Sequence, residues 1–148
     1  MAHSYTKLLY HLVFSTAKRQ PLITEKLRSP LYDYLGGTVR GLDGVAIELG
    51  GVEDHVHLLV RMPRTIAVDE FLQKLKANSS GWVTRANGIK FNWQRGFGAF
   101  TVSESQVEKV RRYIQNQVEH HRKVSFEQEF KAMIKAHQVE FDEEYLWR

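Results

Sequence analysis

Apolar and polar side chains alternate along four short segments of the chain, as they do in half-buried β-strands. These segments cover residues 5–16, 45–49, 55–62 and 97–103. In the third segment every second side chain from Val56 to Met62 is apolar, so this set should pack beneath helices. Only residues 50–54 separate the second and third segments, and a connection this short usually joins antiparallel neighbours.

Apolar side chains recur at helical spacing in the stretches between the outer strands. The first predicted helix begins at Thr24 or Ser29 and ends at the glycine-containing turn 41–44. The second spans 65–87 and is stopped by Gly88. Each helix thus connects two strands.

Two further helices are predicted after the last strand, over residues 103–123 and 125–137. Ser103 and Gln106 have the spacing of a capping box at the start of the first one. The order of the first six elements matches the split βαβ, ferredoxin-like plan. We therefore predict an α+β fold in one domain, residues 1–148: an antiparallel ferredoxin-like sheet with helices on one face, plus C-terminal helices. The other face should be free for a site or a partner.

The composition excludes several kinds of site. The chain contains no cysteine, which excludes disulfide bonds, a cysteine nucleophile, thiolate zinc sites and iron–sulfur clusters. It has no apolar run near the ~18 residues of a membrane-spanning helix and no signal-peptide layout, so we expect a cytoplasmic protein without a membrane partner. Lysine and arginine total 21 against 17 acidic residues, and the net charge of +4 permits a nucleic-acid partner without indicating one.

Two histidines share one face of the third predicted strand. Residues two apart in a strand point the same way, so His55 and His57 project together, away from the apolar set. Two imidazoles in this arrangement can chelate one divalent ion and leave positions open for a substrate oxygen. Two hydrogen-bonded structural histidines are the alternative. A structural zinc site normally has four protein ligands, and no thiolate is present to complete one.

A tyrosine and a glutamine lie one turn apart on the predicted helix 103–123. Tyr113 and Gln117 fall on the shoulder of the apolar stripe, so a helix packed on the sheet can direct both into one cleft. A phenol is a weak nucleophile because its pKa is near 10, and a divalent cation that polarises a phosphate lowers the barrier to its attack. Histidines with a nearby tyrosine fit phosphoryl transfer on DNA, whereas a partly buried tyrosine beside a surface glutamine is the structural alternative.

Three motifs, in this order, resemble those of the small HUH transposases with a single catalytic tyrosine, including their REP-associated relatives. The motifs are residues 54–60 (DHVHLLV), 91–103 (FNWQRGFGAFTVS) and 113–121 (YIQNQVEHH). The resemblance implies that His55 and His57 are metal ligands and that Tyr113 is the nucleophile. It also implies that Gln117 is the third ligand and that the ion is Mg²⁺ or Mn²⁺.

The third ligand has two rivals, since His120 and His121 lie about one turn beyond Gln117. The resemblance further implies cleavage of single-stranded DNA, with a 5′-phosphotyrosine, a free 3′-hydroxyl and rejoining that needs no nucleotide cofactor. It implies recognition of hairpins near the ends of a mobile element, and a homodimer. Whether the tyrosine serves its own subunit or the partner stays open.

Basic and aromatic residues supply candidate DNA contacts, although each alone is more typical of an ordinary surface charge or core ring. Cations able to bind phosphates would make binding salt-dependent; they are Lys18, Arg19, Arg61, Lys74, Lys76, Arg85, Arg95, Arg111 and Arg112. Rings able to stack on unpaired bases are Trp93, Phe97 and Phe100. Two other functions compete with transposition: a noncatalytic single-strand-binding module of the same fold, and a metal hydrolase that activates water.

Overall fold

A computed structural model describes residues 3–147 and contains the predicted antiparallel sheet. Its strands are β1 (Leu8–Ser15), β2 (Val45–Val52), β3 (His55–Met62) and β4 (Gly98–Thr101). They lie in the order β2-β3-β1-β4 with every pair antiparallel. This is the strand order of the ferredoxin-like plan, so the predicted fold class is confirmed.

Helices α1 (Glu25–Gly41) and α2 (Val68–Asn87) cover one face of the sheet. Thr24 caps α1 by accepting a hydrogen bond from the Leu27 amide, and Gly88 ends α2 in the left-handed conformation that favours glycine. The core lies between these helices and the sheet, where Leu12 and Leu58 are fully buried. The apolar set of β3 therefore packs where its alternation predicts.

The second face of the sheet is also covered, which corrects the expectation that it is free. In the described part of the chain, β4 is followed by the α-helices α3 (Val107–Gln115), α4 (Gln117–His120) and α5 (Phe126–Ala136). Helix α3 packs so closely on β2 that a Cβ at Gly50 would be 2.4 Å from the Ile114 carbonyl oxygen. The apolar stripes of these helices need a surface to cover, and the sheet provides it.

The predicted helix 103–123 is interrupted in the structure. Asn116 leaves the helical conformation, with φ −96° and ψ 19°, and separates α3 from α4. As a result Val118, which the helical pattern places inside, is 48% exposed. The predicted capping box is also wrong: the Ser103 hydroxyl contacts Ser105, and Ser103 precedes only a short 3₁₀ turn.

A complete capping box does occur at α5. The Ser125 hydroxyl accepts from the Gln128 amide, and the Gln128 side chain accepts from the Ser125 amide. Within residues 3–147 no helix is both long enough and apolar enough to cross a membrane.

Candidate active site

Strand β3 presents His55 and His57 to the second face of the sheet, where both are fully buried. Their ring centroids are 5.1 Å apart. Asp54 Oδ1 lies 2.8 Å from His55 Nδ1, and His11 Nε2, on the neighbouring strand β1, lies 2.8 Å from His57 Nδ1. Because each Nδ1 has a partner, the two Nε2 atoms are oriented toward the same point.

Helix α5 brings a carboxylate to that point. Glu129 is 3% exposed, and its Oε1 lies 2.9 Å from His57 Nε2 and 3.3 Å from His55 Nε2. His121 Nε2 is 3.2 Å from the same oxygen, while His121 Nδ1 contacts the Val124 carbonyl at 2.7 Å. These three histidines and Glu129 offer one ligand atom each, all within 4.8 Å of one another. We call these four residues the histidine–carboxylate cluster.

The predicted tyrosine and glutamine reach this cluster within the same chain. The Tyr113 hydroxyl donates a hydrogen bond to Glu129 Oε2 and lies 3.4 Å from His120 Nε2. The Gln117 amide nitrogen donates to Glu129 Oε2 at 3.1 Å, and its carbonyl oxygen lies 3.1 Å from His55 Nε2. Glu129 Oε1 thus faces the cluster histidines, and Oε2 faces the phenol.

The candidates for the third metal ligand occupy different positions, and more than one of them reaches the cluster. Gln117 Oε1 lies 3.0 Å from His121 Nε2, so both of these side chains are at the cluster. His120 stands beside Tyr113, its Nε2 lies 3.2 Å from Glu129 Oε2, and its side chain is 29% exposed. The cluster is therefore nearest to solvent on the side of His120 and the phenol.

Burial and hydrogen bonding set the charges of the site. Burial lowers the pKa of His57 to about 4. Burial also disfavours the charged form of His55, but hydrogen bonds to Asp54 and Glu129 outweigh it and raise that pKa to about 9. Burial acts to raise the pKa of Glu129, whereas hydrogen bonds from His121, His55 and His57 hold it far below its ordinary value. At neutral pH a protonated His55 therefore balances the Glu129 carboxylate.

The phenol itself is not activated by these neighbours. Burial, followed by the hydrogen bond and negative charge of Glu129, raises the pKa of Tyr113 above its ordinary value. Burial also lowers the pKa of His11 to about 3, which keeps this partner of His57 neutral.

Glu129 was not identified from the sequence, although it left a signal there. It lies one turn after Phe126 on the buried side of α5, which also carries Ile134. A carboxylate among apolar residues on one helical stripe indicates a buried partner. The sequence does not indicate that this partner is a strand 72 residues away.

The predicted DNA contacts are scattered over the surface, and some have partners within the chain. Arg19 pairs with Glu127, Lys74 with Glu70 and Arg111 with Glu108. Lys76 donates to two backbone carbonyls, and burial lowers its pKa to about 8. The remaining cations are exposed: Lys18, Arg61, Arg85, Arg95 and Arg112.

The three candidate stacking rings differ in position. Trp93 is a core residue, with its ring against Phe14 and its indole nitrogen donating to Ser79, which matches the core alternative for this ring. Phe100 is 6% exposed and stacks on His137, and Phe97 is half-buried.

Comparison with known proteins gives a consistent result. The family described as "Transposase IS200 like" matches residues 4–117. The transposases for insertion sequence element IS200 of Salmonella typhimurium and Salmonella typhi are each 30% identical to this chain, over 80% of its length and 82% of theirs.

Two solved structures are similar. A candidate transposase from Deinococcus radiodurans R1 has a TM-score of 0.64 and 25% identity, covering 79% of this chain and 96% of that one. A REP-associated tyrosine transposase bound to a REP hairpin has a TM-score of 0.57 and 17% identity, covering 78% of this chain and 70% of that one. The second likeness concerns the fold alone.

Proposed function

The chain belongs to the family of IS200-like transposases, and from this membership we propose that it cleaves and rejoins single-stranded DNA through a covalent bond to Tyr113. The observation that carries the proposal is the hydrogen bond between the Tyr113 hydroxyl and Glu129, inside the histidine–carboxylate cluster. A tyrosine with only a structural role does not require a buried carboxylate and several histidines around its hydroxyl.

The reaction follows from the groups around the phenol. The Tyr113 oxygen attacks a backbone phosphorus and loses its proton to water. Glu129, whose pKa is held far below its ordinary value, positions the phenol through their hydrogen bond and does not act as the base. The bond from phosphorus to the 3′-oxygen breaks, which leaves a 5′-phosphotyrosine and a 3′-hydroxyl that takes up a proton. The number of phosphoester bonds is conserved, so the 3′-hydroxyl of another strand can reverse the step.

The cluster fits a divalent cation. Three imidazoles whose Nδ1 atoms already have partners offer Nε2, and Glu129 offers an oxygen. The Gln117 carbonyl oxygen is a further donor. This mixture suits Mn²⁺ better than Mg²⁺, which prefers oxygen ligands. The ion would polarise the phosphate and stabilise its negative charge.

The proposed substrate is a strand that folds into hairpins near element ends. A relative of the same fold is described as bound to a REP hairpin, which supports this choice. The exposed cations Lys18, Arg61, Arg85, Arg95 and Arg112 would contact phosphates, so affinity should fall as salt rises. We further propose that the protein acts as a homodimer.

Covalent trapping tests the proposed reaction. The full chain is incubated with Mn²⁺ and a labelled random-sequence pool of single strands, and adducts that survive denaturation are counted. Wild type should form the adduct and Tyr113→Phe should form none, since its ring has no oxygen to attack phosphorus.

The matched control is Tyr34→Phe, which removes a hydroxyl from a ring that stacks on Trp82, remote from the cluster. It should form the adduct at the wild-type level. Binding without any adduct in wild type would contradict the proposal and favour the noncatalytic module, and cleavage without an adduct would favour the hydrolase.

A further inference from the structure

A cavity of about 550 Å³ lies beside the candidate active site, a volume typical of small-ligand sites. Its floor is formed by β1 and β4, and its roof by α5 and the chain that follows α5. The lining is mainly apolar and includes the aromatic rings of Phe97, Phe100, Phe126, Phe130, Phe141 and Trp147. We call this space the aromatic cavity.

The aromatic cavity and the histidine–carboxylate cluster share a wall. The Phe126 ring lines the cavity and stacks on His55, with centroids 4.3 Å apart. It also stacks on Phe130 at 5.5 Å. Gly98 permits this arrangement, since a Cβ there would be 2.7 Å from the Phe130 ring. A ligand in the cavity would thus be separated from His55 by a single ring.

The rim of the cavity carries charges of both signs. Arg95 and the carboxylates Glu140 and Asp142 line it and are exposed, and Arg19, which pairs with Glu127, lies 5.0 Å from the centroid of the Trp147 ring. Gln94 lines it too, but its side chain is engaged by the Trp147 carbonyl and by the Lys18 amide. Such a site offers ring faces to a planar group, and Arg95 offers a cation to an attached phosphate.

We propose that the aromatic cavity binds an unpaired nucleobase of the DNA strand, close to the phosphate that Tyr113 attacks. The choice of ligand rests on the proposed function, while the cavity itself does not. Aromatic side chains stack on any base, because every base has a π-face. Because stacking does not read base edges, the cavity should bind bases with little discrimination among them.

Equilibrium binding to two oligonucleotides tests the proposal without requiring cleavage. The probes are fluorescein-labelled oligothymidylate of about 12 nucleotides, within the site sizes of single-strand-binding domains, and the same backbone without bases. With EDTA present, wild type should bind the base-containing strand about tenfold more tightly, as expected when one base stacks.

Trp147→Ala removes one wall of the cavity near the chain end. This substitution should reduce the preference to about twofold, mainly by lowering the affinity for the strand that has bases. Trp147→Phe, which restores a ring, should recover most of the difference. Tyr34→Ala, which removes a ring from the Tyr34–Trp82 stack on the other side of the sheet, should keep the tenfold preference.

Equal binding of both strands by wild type would overturn the proposal, as would a preference that Trp147→Ala leaves intact. These results separate the cavity from the reaction. A base preference without a Tyr113 adduct contradicts the reaction alone, and an adduct without a base preference contradicts the cavity alone.

Discussion

Glu129 connects the groups of the candidate site, since its two oxygens contact the cluster histidines on one side and Tyr113 on the other. If Glu129 is a metal ligand, Glu129→Gln should weaken Mn²⁺ binding by at least about tenfold, the lower range for loss of a group that supports a metal site. Isothermal titration calorimetry measures this affinity directly.

Glu127→Gln on the same helix is the matched control, because Glu127 pairs with Arg19 away from the cluster. It should bind Mn²⁺ like wild type. Unchanged affinity in Glu129→Gln would show that the carboxylate contacts the histidines without holding the ion.

Individual residues also show where sequence reasoning succeeds. Strand periodicity places His55 and His57 on one face, and the structure agrees because an unbroken strand keeps a period of two. Periodicity does not decide the position of Trp93, which the sequence allows either as a base-stacking ring or as a core residue, and the structure places it in the core. Its indole nitrogen finds Ser79 on α2, a partner created only by tertiary packing.

Among the elements, α3 depends on a close approach to β2 at Gly50. A methyl group there would also be 2.8 Å from the Ile114 Cγ2 atom, so α3 and β2 must move apart. Gly50→Ala should lower the free energy of unfolding by about 1–3 kcal/mol, the usual cost of overpacking. It should also reduce adduct formation, because α3 carries Tyr113.

Urea denaturation and covalent trapping measure the two effects, with Gly41→Ala as the control. Gly41 ends α1, and a Cβ added there would meet no other atom within 4 Å. Alanine at this position should therefore leave stability unchanged or raise it by up to about 1 kcal/mol. Equal stability of Gly50→Ala and wild type would contradict the packing argument.

The elements themselves are predictable to different degrees. Strand β3 has the predicted bounds because both ends are marked by turn and loop residues. The break at Asn116 is not predicted, since the apolar spacing continues through it to Val118. Tertiary packing determines the non-helical conformation of Asn116, because the break there allows α4 to direct the Gln117 side chain toward His55.

At the scale of the whole molecule, the sequence predicts the sheet but does not predict that helices cover its second face. Strand alternation and helix periodicity describe each element alone, and they determine which face of an element is apolar. They do not state which helix covers which face. That information lies in contacts between residues far apart in sequence, such as His57 with Glu129 and Gly50 with Ile114. The local sequence pattern around one residue of such a pair does not identify the other residue.

The arrangement of the whole chain also predicts how the subunits of the proposed homodimer would share the proposed reaction. Tyr113 and the histidine–carboxylate cluster meet within one chain, so each subunit should be complete. His57→Ala removes a cluster ligand and Tyr113→Phe removes the phenol, and each variant alone should form no adduct. If each subunit uses its own tyrosine, a coexpressed mixture of the two variants should also form no adduct.

Distinguishable tags that copurify would establish that mixed dimers are present. Adduct formation by the mixture would show instead that a tyrosine serves the partner subunit, and that α3 must leave its position on β2 to do so.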